Sequence, residues 1–482
     1  MEIPAYIYTV IVLIIDWTIR IALLFYVPRR RKPTAATAWL LAIFILPGIL
    51  GLTLYFIIGT TRPSKRRRQR LATVNKAILE SQHVTDASIR YPDRIQPFIS
   101  LSRNLSKFPA VNGNTNTLHT DYKDTIVRIT RDVKKATNYI YIESYILALD
   151  PVTEPLFVAL EQAANRGVNV HVLFDSYGSH KYRHHRQMRR RLRDSKIHWC
   201  EMLPISLMPR KYSRPDLRNH RKLIAIDNSV AYIGSLNLIE PRYGRKDDII
   251  YEEMVTRMKG PIVAHTAAII AGDWYTETGS AILDFNKDEA PESFSHAQGG
   301  QLMQIVPSGP AYKNENNLKL FIDLIYSAQR RIVITNPYLV PTEPLLIALV
   351  TAAQRGVNVV VINSEAIDQR VVGHAQRSYY GQLLDAGVHI YLHKAPVLLH
   401  AKHMTIDDDI AMIGSSNMDV RSFELNYECS LMIYDPRIVA RLTDIQAHNL
   451  AQSHILTKEA WSKRSIKDTL LDNIARLTSA LQ

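Results

Sequence analysis

Cysteine is almost absent from this sequence. Cys200 and Cys429 are the two in 482 residues, far apart and without the spacing of metal ligands. That excludes a disulfide framework and suits a reducing compartment, with both thiols as small buried residues. No glycine-rich phosphate loop occurs. No basic segment or small-residue cleavage site precedes the first apolar run, as a cleavable signal peptide would need. Acidic residues are the scarcer charge: 45 Asp and Glu stand against 59 Lys and Arg, a formal excess of +14. So basic a chain is matched to an anionic partner, whether nucleic acid, membrane headgroups or a phosphorylated substrate.

What is plentiful at the start is apolar sequence. Residues 3–27 (IPAYIYTVIVLIIDWTIRIALLFYV) and 34–59 (TAATAWLLAIFILPGILGLTLYFIIG) are each long enough to cross a bilayer as a helix. The expectation is an N-terminal transmembrane helix pair, multi-pass, with a kink in the second run at Pro47, Gly48 and Gly51. Asp16 and Arg20 lie mid-run in the first, four apart on one helix face. Pairing toward a partner helix lowers the cost of such groups at that depth; the alternative places 1–27 partly in the interface. Basic clusters follow both runs, RRRK at 29–32 and RPSKRRRQR at 62–70. With four Lys and Arg in the loop and six beyond the second run, the positive-inside rule only leans toward a cytoplasmic bulk.

Past a basic connector (61–110) the chain repeats itself. TEPLFVALEQAANRGVNVHVL (153–173) and TEPLLIALVTAAQRGVNVVVI (342–362) share 14 of 21 positions. Each reads as a helix ending at an Arg-Gly stop, followed by a Val-rich strand suited to a sheet buried on both faces. The polar stretch 285–300 reads as a linker. A unit approaching 190 residues is too long for a solenoid repeat, so the organisation is a duplication: an α/β domain at 111–284 and a second at 301–482.

Each half carries His-x-Lys-x4-Asp and then Gly-Ser-x-Asn. The residues are His220, Lys222, Asp227, Ser235 and Asn237 in the first, and His400, Lys402, Asp407, Ser415 and Asn417 in the second. A strand would put His and Lys on one face, and the returning strand of a hairpin would present Ser and Asn beside them. Imidazole serves as nucleophile or proton shuttle, and the lysine supplies a point charge for phosphate oxygens. Asn and Ser add neutral hydrogen bonds for phosphate. No extra carboxylate accompanies the motif to hold a metal, and no cofactor is implied. Two copies at equivalent places predict one shared site in which both histidines face one phosphate.

These motifs resemble those of the phospholipase D superfamily. With the N-terminal runs, VPSGPA (306–311), NPYLVPTEPLLIAL (336–349) and SSNMDVRSFELNYE (415–428), the chain resembles bacterial membrane-anchored cardiolipin synthases over nearly its whole length. The resemblance implies two tandem phospholipase D-like domains, each a mixed β-sheet flanked by helices, sharing one active site. It implies a metal-free, two-step transfer between two phosphatidylglycerol molecules to give cardiolipin and glycerol. His220 would be the nucleophile and His400 the acid and base, with the reverse allowed by symmetry. Lys222, Lys402, Asn237 and Asn417 would hold phosphoryl oxygens, while Asp227 and Asp407 fix local structure. Each histidine also needs an orienting carboxylate, for which Glu253 and Glu428 are the candidates, with Glu252 or Asp248 as substitutes for the first. The implied partners are anionic phospholipid and the bacterial inner membrane, with the catalytic part cytoplasmic, homo-oligomerisation open and no nucleic acid expected. A lipase or nuclease of the same superfamily and a catalytically dead scaffold are the competing readings.

Other features carry weaker expectations. The basic run 179–194 is either a solvated helix face or a headgroup-docking surface. Arg214 and Arg218 are candidates for anchoring phosphate. Trp461, Ile466, Leu470, Ile474 and Leu477 at helical spacing suggest a C-terminal helix packed on the catalytic domains. Tyr145 and Tyr338 hold matching repeat positions and could line the site.

Overall fold

Both Arg-Gly stops end a helix. Gly167 and Gly356 take φ of +93° and +87°, which closes helices Glu154–Asn165 and Glu343–Gln354 and releases the chain into a strand. The computed structural model describes residues 5–31, 33–59, 63–81, 91–205, 213–245, 248–283, 300–312 and 315–477; the linker expected at 285–300 lies outside them save for Gly300. The chain divides into two units, 1–62 and 63–482.

The strands of the first half are β1 (Val111–His119), β2 (Tyr139–Ser144), β3 (Asn169–Asp175), β4 (His198–Met202), β5 (Leu223–Ile226), β6 (Val230–Gly234), β7 (Ile250–Glu252) and β8 (Val255–Lys259). Those of the second are β9 (Gln301–Ser308), β10 (Arg331–Thr335), β11 (Asn358–Ser364), β12 (His389–His393), β13 (Val397–Leu399), β14 (His403–Ile406), β15 (Ile410–Gly414), β16 (Glu428–Tyr434) and β17 (Ser453–Leu456). Among the described residues, all but β7 and β13 form one 15-stranded sheet. Outward from the antiparallel β1–β9 seam, the order is β8, β6, β5, β2, β3, β4 on one side and β16, β15, β14, β10, β11, β12 on the other, with β17 at the far edge. Duplicated strands thus occupy matching places about a pseudo-twofold axis at the seam. The sheet is mixed: β2–β3–β4 and β10–β11–β12 run parallel, and the hairpins β5–β6 and β14–β15 are antiparallel. Apolar side chains of both halves, among them Leu223, Ile233, Met258, Ile305, Ile413 and Leu431, pack in one buried cluster.

Three expectations change. Residues 63–81 and 91–110 are folded into the second unit rather than serving as a connector. Helix Lys65–Ser81 lies along helix Ile262–Thr278, where Arg67 makes a two-pronged contact with Glu277 (2.9 and 2.7 Å) and Arg70 donates to the terminal carbonyls of Thr276 and Glu277. The C-terminal helix Ile466–Leu477 docks on helix Arg370–Asp385 by its polar side. There the buried Asp472 meets His374 (2.8 Å) and Arg377 (3.5 Å), so Ile466, Leu470, Ile474 and Leu477 point outward. Finally, of the two expected N-terminal helices only the first is continuous. α1 (Ala5–Tyr26) is continuous, but the second apolar run is two helices, α2 (Pro33–Ile45) and α3 (Gly48–Ile58), broken at Leu46 and Pro47. Proline lacks the N–H a continuing helix would need. Among the described residues, α1 is the one helix long and apolar enough to cross a membrane.

Candidate active site

The two motif hairpins are built alike. At the turn of each, Asp227 and Asp407 take positive φ (+51° and +49°) and turn their carboxylates onto the backbone of the neighbouring strand. Asp227 accepts from the N–H groups of Thr137, Asn138 and Tyr139 (2.6–2.8 Å), and Asp407 from Gln329, Arg330 and Arg331 (2.7–3.0 Å). They therefore stand at the opposite end of the hairpin from the histidines. In the returning strand, a Cβ at Gly234 or Gly414 would lie 2.2 or 2.5 Å from the carbonyl of Met254 or Cys429, so only glycine lets β8 and β16 approach. The next residues, Ser235 and Ser415, accept from the N–H of Met254 (2.9 Å) and Cys429 (3.0 Å). Gly-Ser thus holds the strand beside it, and the carboxylate stands at the start of that strand in β16 (Glu428) and two residues ahead of it in β8 (Glu253).

His220–Lys222 and His400–Lys402 are not in the strands, as alternation suggested, but in the extended chain just ahead of β5 and β14. The reason is that these segments leave their own half to pair with the other. Asn219 bridges to Tyr427, and β13 pairs in parallel with β7. His220 N–H donates to Tyr427 O (2.8 Å) and His400 N–H to Glu252 O (2.7 Å). The residue that follows each of these carbonyls is a glutamate, and the pairs are therefore crossed. Glu428 of the second half receives Nδ1 of His220 (2.9 and 3.1 Å), and Glu253 of the first receives Nδ1 of His400 (2.7 Å). A carboxylate there keeps the proton on Nδ1 and leaves Nε2 as the reactive nitrogen. Glu252 contributes only its carbonyl, and Asp248 is paired with Arg245, so neither substitutes for Glu253.

The two pairs are not equivalent. Ser415 donates to Glu428 Oε2 (2.5 Å), whereas Glu253 Oε1 receives the Tyr243 hydroxyl (2.6 Å), which in turn is hydrogen-bonded by Asn237 Nδ2 (3.0 Å). Burial raises Glu428 to about 8 despite Lys222 and Ser415. Glu253 is equally buried, yet His400 and Lys402 outweigh that and hold it below the usual range. Burial, with Lys222 and Lys402 behind it, pushes His220 well below its ordinary value. Burial also lowers His400, but Glu253 opposes the shift. Lys222 and Lys402 curl back onto the carbonyls of His220 (2.7 Å) and His400 (2.5 Å), leaving further donors on each ammonium. Burial lowers them to about 7 and about 8, against the pull of Glu428 and Glu253.

Asn237 is fully engaged, by Ile146 N–H (3.2 Å) and Tyr243, while Asn417 leaves Oδ1 without a partner. Arg214 and Arg218 are committed to Asp216 and Asp175 rather than open to a ligand. In the basic run, Arg191 pairs with Glu154 and Glu161, Met188 and Leu192 are buried, and Arg186, Arg190 and Arg193 are exposed. Tyr145 sets its ring edge against His220 (4.9 Å), and Tyr338 does so against His400 (6.4 Å). Residues the sequence did not suggest complete the surroundings. Tyr251 lies 5.7 Å from the His400 ring, and its hydroxyl (3.0 Å) and that of Tyr338 (2.6 Å) both donate to Asp368. The charge of Arg421 adds to those lowering His220. Tyr243, Tyr251 and Asp368 have no repeated counterpart to reveal them. Arg421 lay in a stretch already singled out, as a charge in VRSFE.

The arrangement offers two imidazole Nε2 atoms, each backed by a carboxylate, and two ammonium groups in one buried polar site. That set can attack, protonate and neutralise a phosphodiester. The family described as cardiolipin synthase, PLD-like domain, matches residues 129–274 and 321–448. Cardiolipin synthase A of Proteus mirabilis (strain HI4320) is 33% identical over 473 residues, 96% of each chain. That of Yersinia pseudotuberculosis serotype O:1b (strain IP 31758) is 33% identical over 91% of each. Among solved structures, phosphatidylserine synthase of Haemophilus influenzae Rd KW20 superposes with a TM-score of 0.61 at 14% identity, over 80% of this chain and 99% of that one, a likeness of fold.

Proposed function

The chain belongs to the cardiolipin synthase family, phosphatidyltransferases of the phospholipase D superfamily, and we propose that it transfers a phosphatidyl group between two phosphatidylglycerol molecules through a phosphohistidine. The two crossed His–Glu pairs carry this reading. Residues 111–284 and 301–482 act as duplicated halves, each supplying a histidine to one site and a carboxylate to the other half's histidine.

In the first step His220 Nε2 attacks phosphorus, and the bond from phosphorus to the headgroup glycerol oxygen breaks. His400, protonated, gives its Nε2 proton to that oxygen, and glycerol leaves. In the second, His400 takes the proton of a glycerol hydroxyl on another phosphatidylglycerol. The oxygen attacks phosphorus, the P–N bond breaks, and cardiolipin is released with His220 free. His220 suits the nucleophile because burial and both lysines keep it neutral; His400 is the better suited of the two to the acid because burial lowers it less, with Glu253 opposing the shift. Lys222 and Lys402 neutralise the phosphoryl oxygens as charge builds, a task that asks for no metal. Asn417 Oδ1, an acceptor, is open to a substrate hydroxyl rather than to a phosphoryl oxygen, and Asn237 and Ser415 act through the carboxylates. Ser235 acts by holding the strand that follows Glu253. Asp368 with Tyr251 and Tyr338 receives the glycerol hydroxyls on the His400 side. The partners are anionic phospholipids of the bacterial inner membrane, with the catalytic unit cytoplasmic.

The test is lipid analysis after incubating purified protein with phosphatidylglycerol vesicles, with and without a chelator. Cardiolipin and glycerol in equal amounts are expected in both. Phosphatidic acid alone would make the chain a hydrolase, and no turnover a scaffold.

A further inference from the structure

The N-terminal unit carries an arrangement that two membrane-crossing helices would not produce. α2 has 13 residues and α3 has 11, lengths of about 20 and 17 Å, against a hydrocarbon core of about 30 Å. They do not continue one another. Trp39 and Tyr55 would be about 24 Å apart along a single helix, yet their rings meet at 5.4 Å. The chain therefore folds back at Leu46 and Pro47. The level of the fold is marked by α1: Trp17 touches Phe44 near the tip (6.4 Å), while Tyr26, at the end of α1, touches Tyr55 (6.1 Å) and Phe56 (6.3 Å) at the far end of α3. The tip reaches the middle of α1 and goes no further.

At that middle lie Asp16 and Arg20, and they satisfy the broken backbone. Arg20 is paired with Asp16 (2.6 Å) and donates to the carbonyls of Phe44 and Leu46 at the end of α2. Asp16 accepts the Gly48 N–H at the start of α3. Cation on the C-terminal carbonyls and anion on the N-terminal amide is the order that helix dipoles favour. A Cβ at Gly48 would meet Asp16 Oδ1 at 2.6 Å, so the approach depends on glycine. In hydrocarbon no water can replace these bonds, and a broken helix survives there only when protein groups supply them. Around the tip, Leu41, Ile45 and Ile49 turn outward, 59, 80 and 59% exposed, which suits a lipid surrounding.

We infer that α2 and α3 form a re-entrant hairpin, held at mid-depth by the Asp16–Arg20 pair, so that the chain crosses the bilayer once, by α1. The charge distribution then makes sense. With two crossings, the basic clusters 29–32 and 62–70 would lie on opposite faces and nearly cancel as a topological signal. With one crossing, all ten Lys and Arg lie on one face, the distribution that the positive-inside rule assigns to the cytoplasmic side.

Tyr6→Cys, Pro28→Cys and Ser64→Cys, each alone in the full-length chain and none removing a charge, test this with a membrane-impermeant maleimide on right-side-out and inverted vesicles. The unsubstituted chain sets the background from Cys200 and Cys429. The expected result is that positions 28 and 64 label in inverted vesicles and position 6 in right-side-out ones. Labelling of 28 and 64 from opposite faces would establish two crossings and overturn the inference. So would labelling of all three from one face, the pattern of an interfacial segment. Arg29→Cys and Lys65→Cys give a second pair should either first variant fail to accumulate.

Discussion

At the scale of single residues, the site is defined by which carboxylate serves which histidine. His220→Ala and His400→Ala should each lower cardiolipin formation roughly a thousandfold or more, since on the proposed mechanism one removes the nucleophile and the other the proton carrier. Lipid product assays on folded, correctly inserted protein measure this. Near-normal turnover by either would refute the two-histidine site. The lysines carry a pH dependence whose sign follows from their burial. Both are lowered, Lys222 to about 7 and Lys402 to about 8, and the charged form is the one that neutralises phosphate. Activity is therefore present below these values and falls as pH rises through about 7 to 8, because deprotonation removes the cation. Lys222→Arg keeps the charge at high pH, so its alkaline limb should move upward even if its maximal rate is lower. An unshifted limb would assign the loss to another group.

At the scale of elements, the aspartate of each motif belongs to the hairpin and not to the chemistry. Asp227→Ala leaves three N–H groups at the start of β2 without their acceptor, and a loss of about 1–3 kcal/mol is expected. Denaturant unfolding should show this loss, while turnover per folded molecule stays near that of the parent. A collapse of turnover in fully folded protein would contradict the placement. Asp368→Asn acts in the other sense. It should raise the KM for phosphatidylglycerol severalfold with little change in unfolding, because the carboxylate accepts two tyrosine hydroxyls at the rim of the His400 side.

At the scale of the whole molecule, the continuous sheet and the crossed pairs make the halves interdependent. Neither half contains a histidine together with the glutamate that orients it. On the proposed function, membrane attachment bears on the choice of acceptor as well. A lipid alcohol outcompetes water only while its concentration around the site is high. Diluting phosphatidylglycerol into vesicles of a neutral lipid should therefore lower the ratio of cardiolipin to phosphatidic acid. A ratio independent of dilution would place the selection against water within the site itself.

The duplication, the doubled His-x-Lys-x4-Asp with its Gly-Ser-x-Asn, and both candidate glutamates were legible along the chain, because residue type and spacing are one-dimensional. So were the apolar N-terminal runs and the acid–base pair Asp16–Arg20. Only the tertiary structure decided that His220 is served by Glu428 and His400 by Glu253, since that pairing depends on Asn219 and β13 crossing to strands of the other half. It alone turned Asn237 and Ser415 toward the glutamates and placed Asp368 beside the tyrosines next to His400, contacts whose geometry residue type and spacing do not carry. A kink at Pro47 was legible as well, but only the tertiary structure made it a fold-back, because reversing the chain there depends on Arg20 and Asp16 being at hand to take the freed backbone groups.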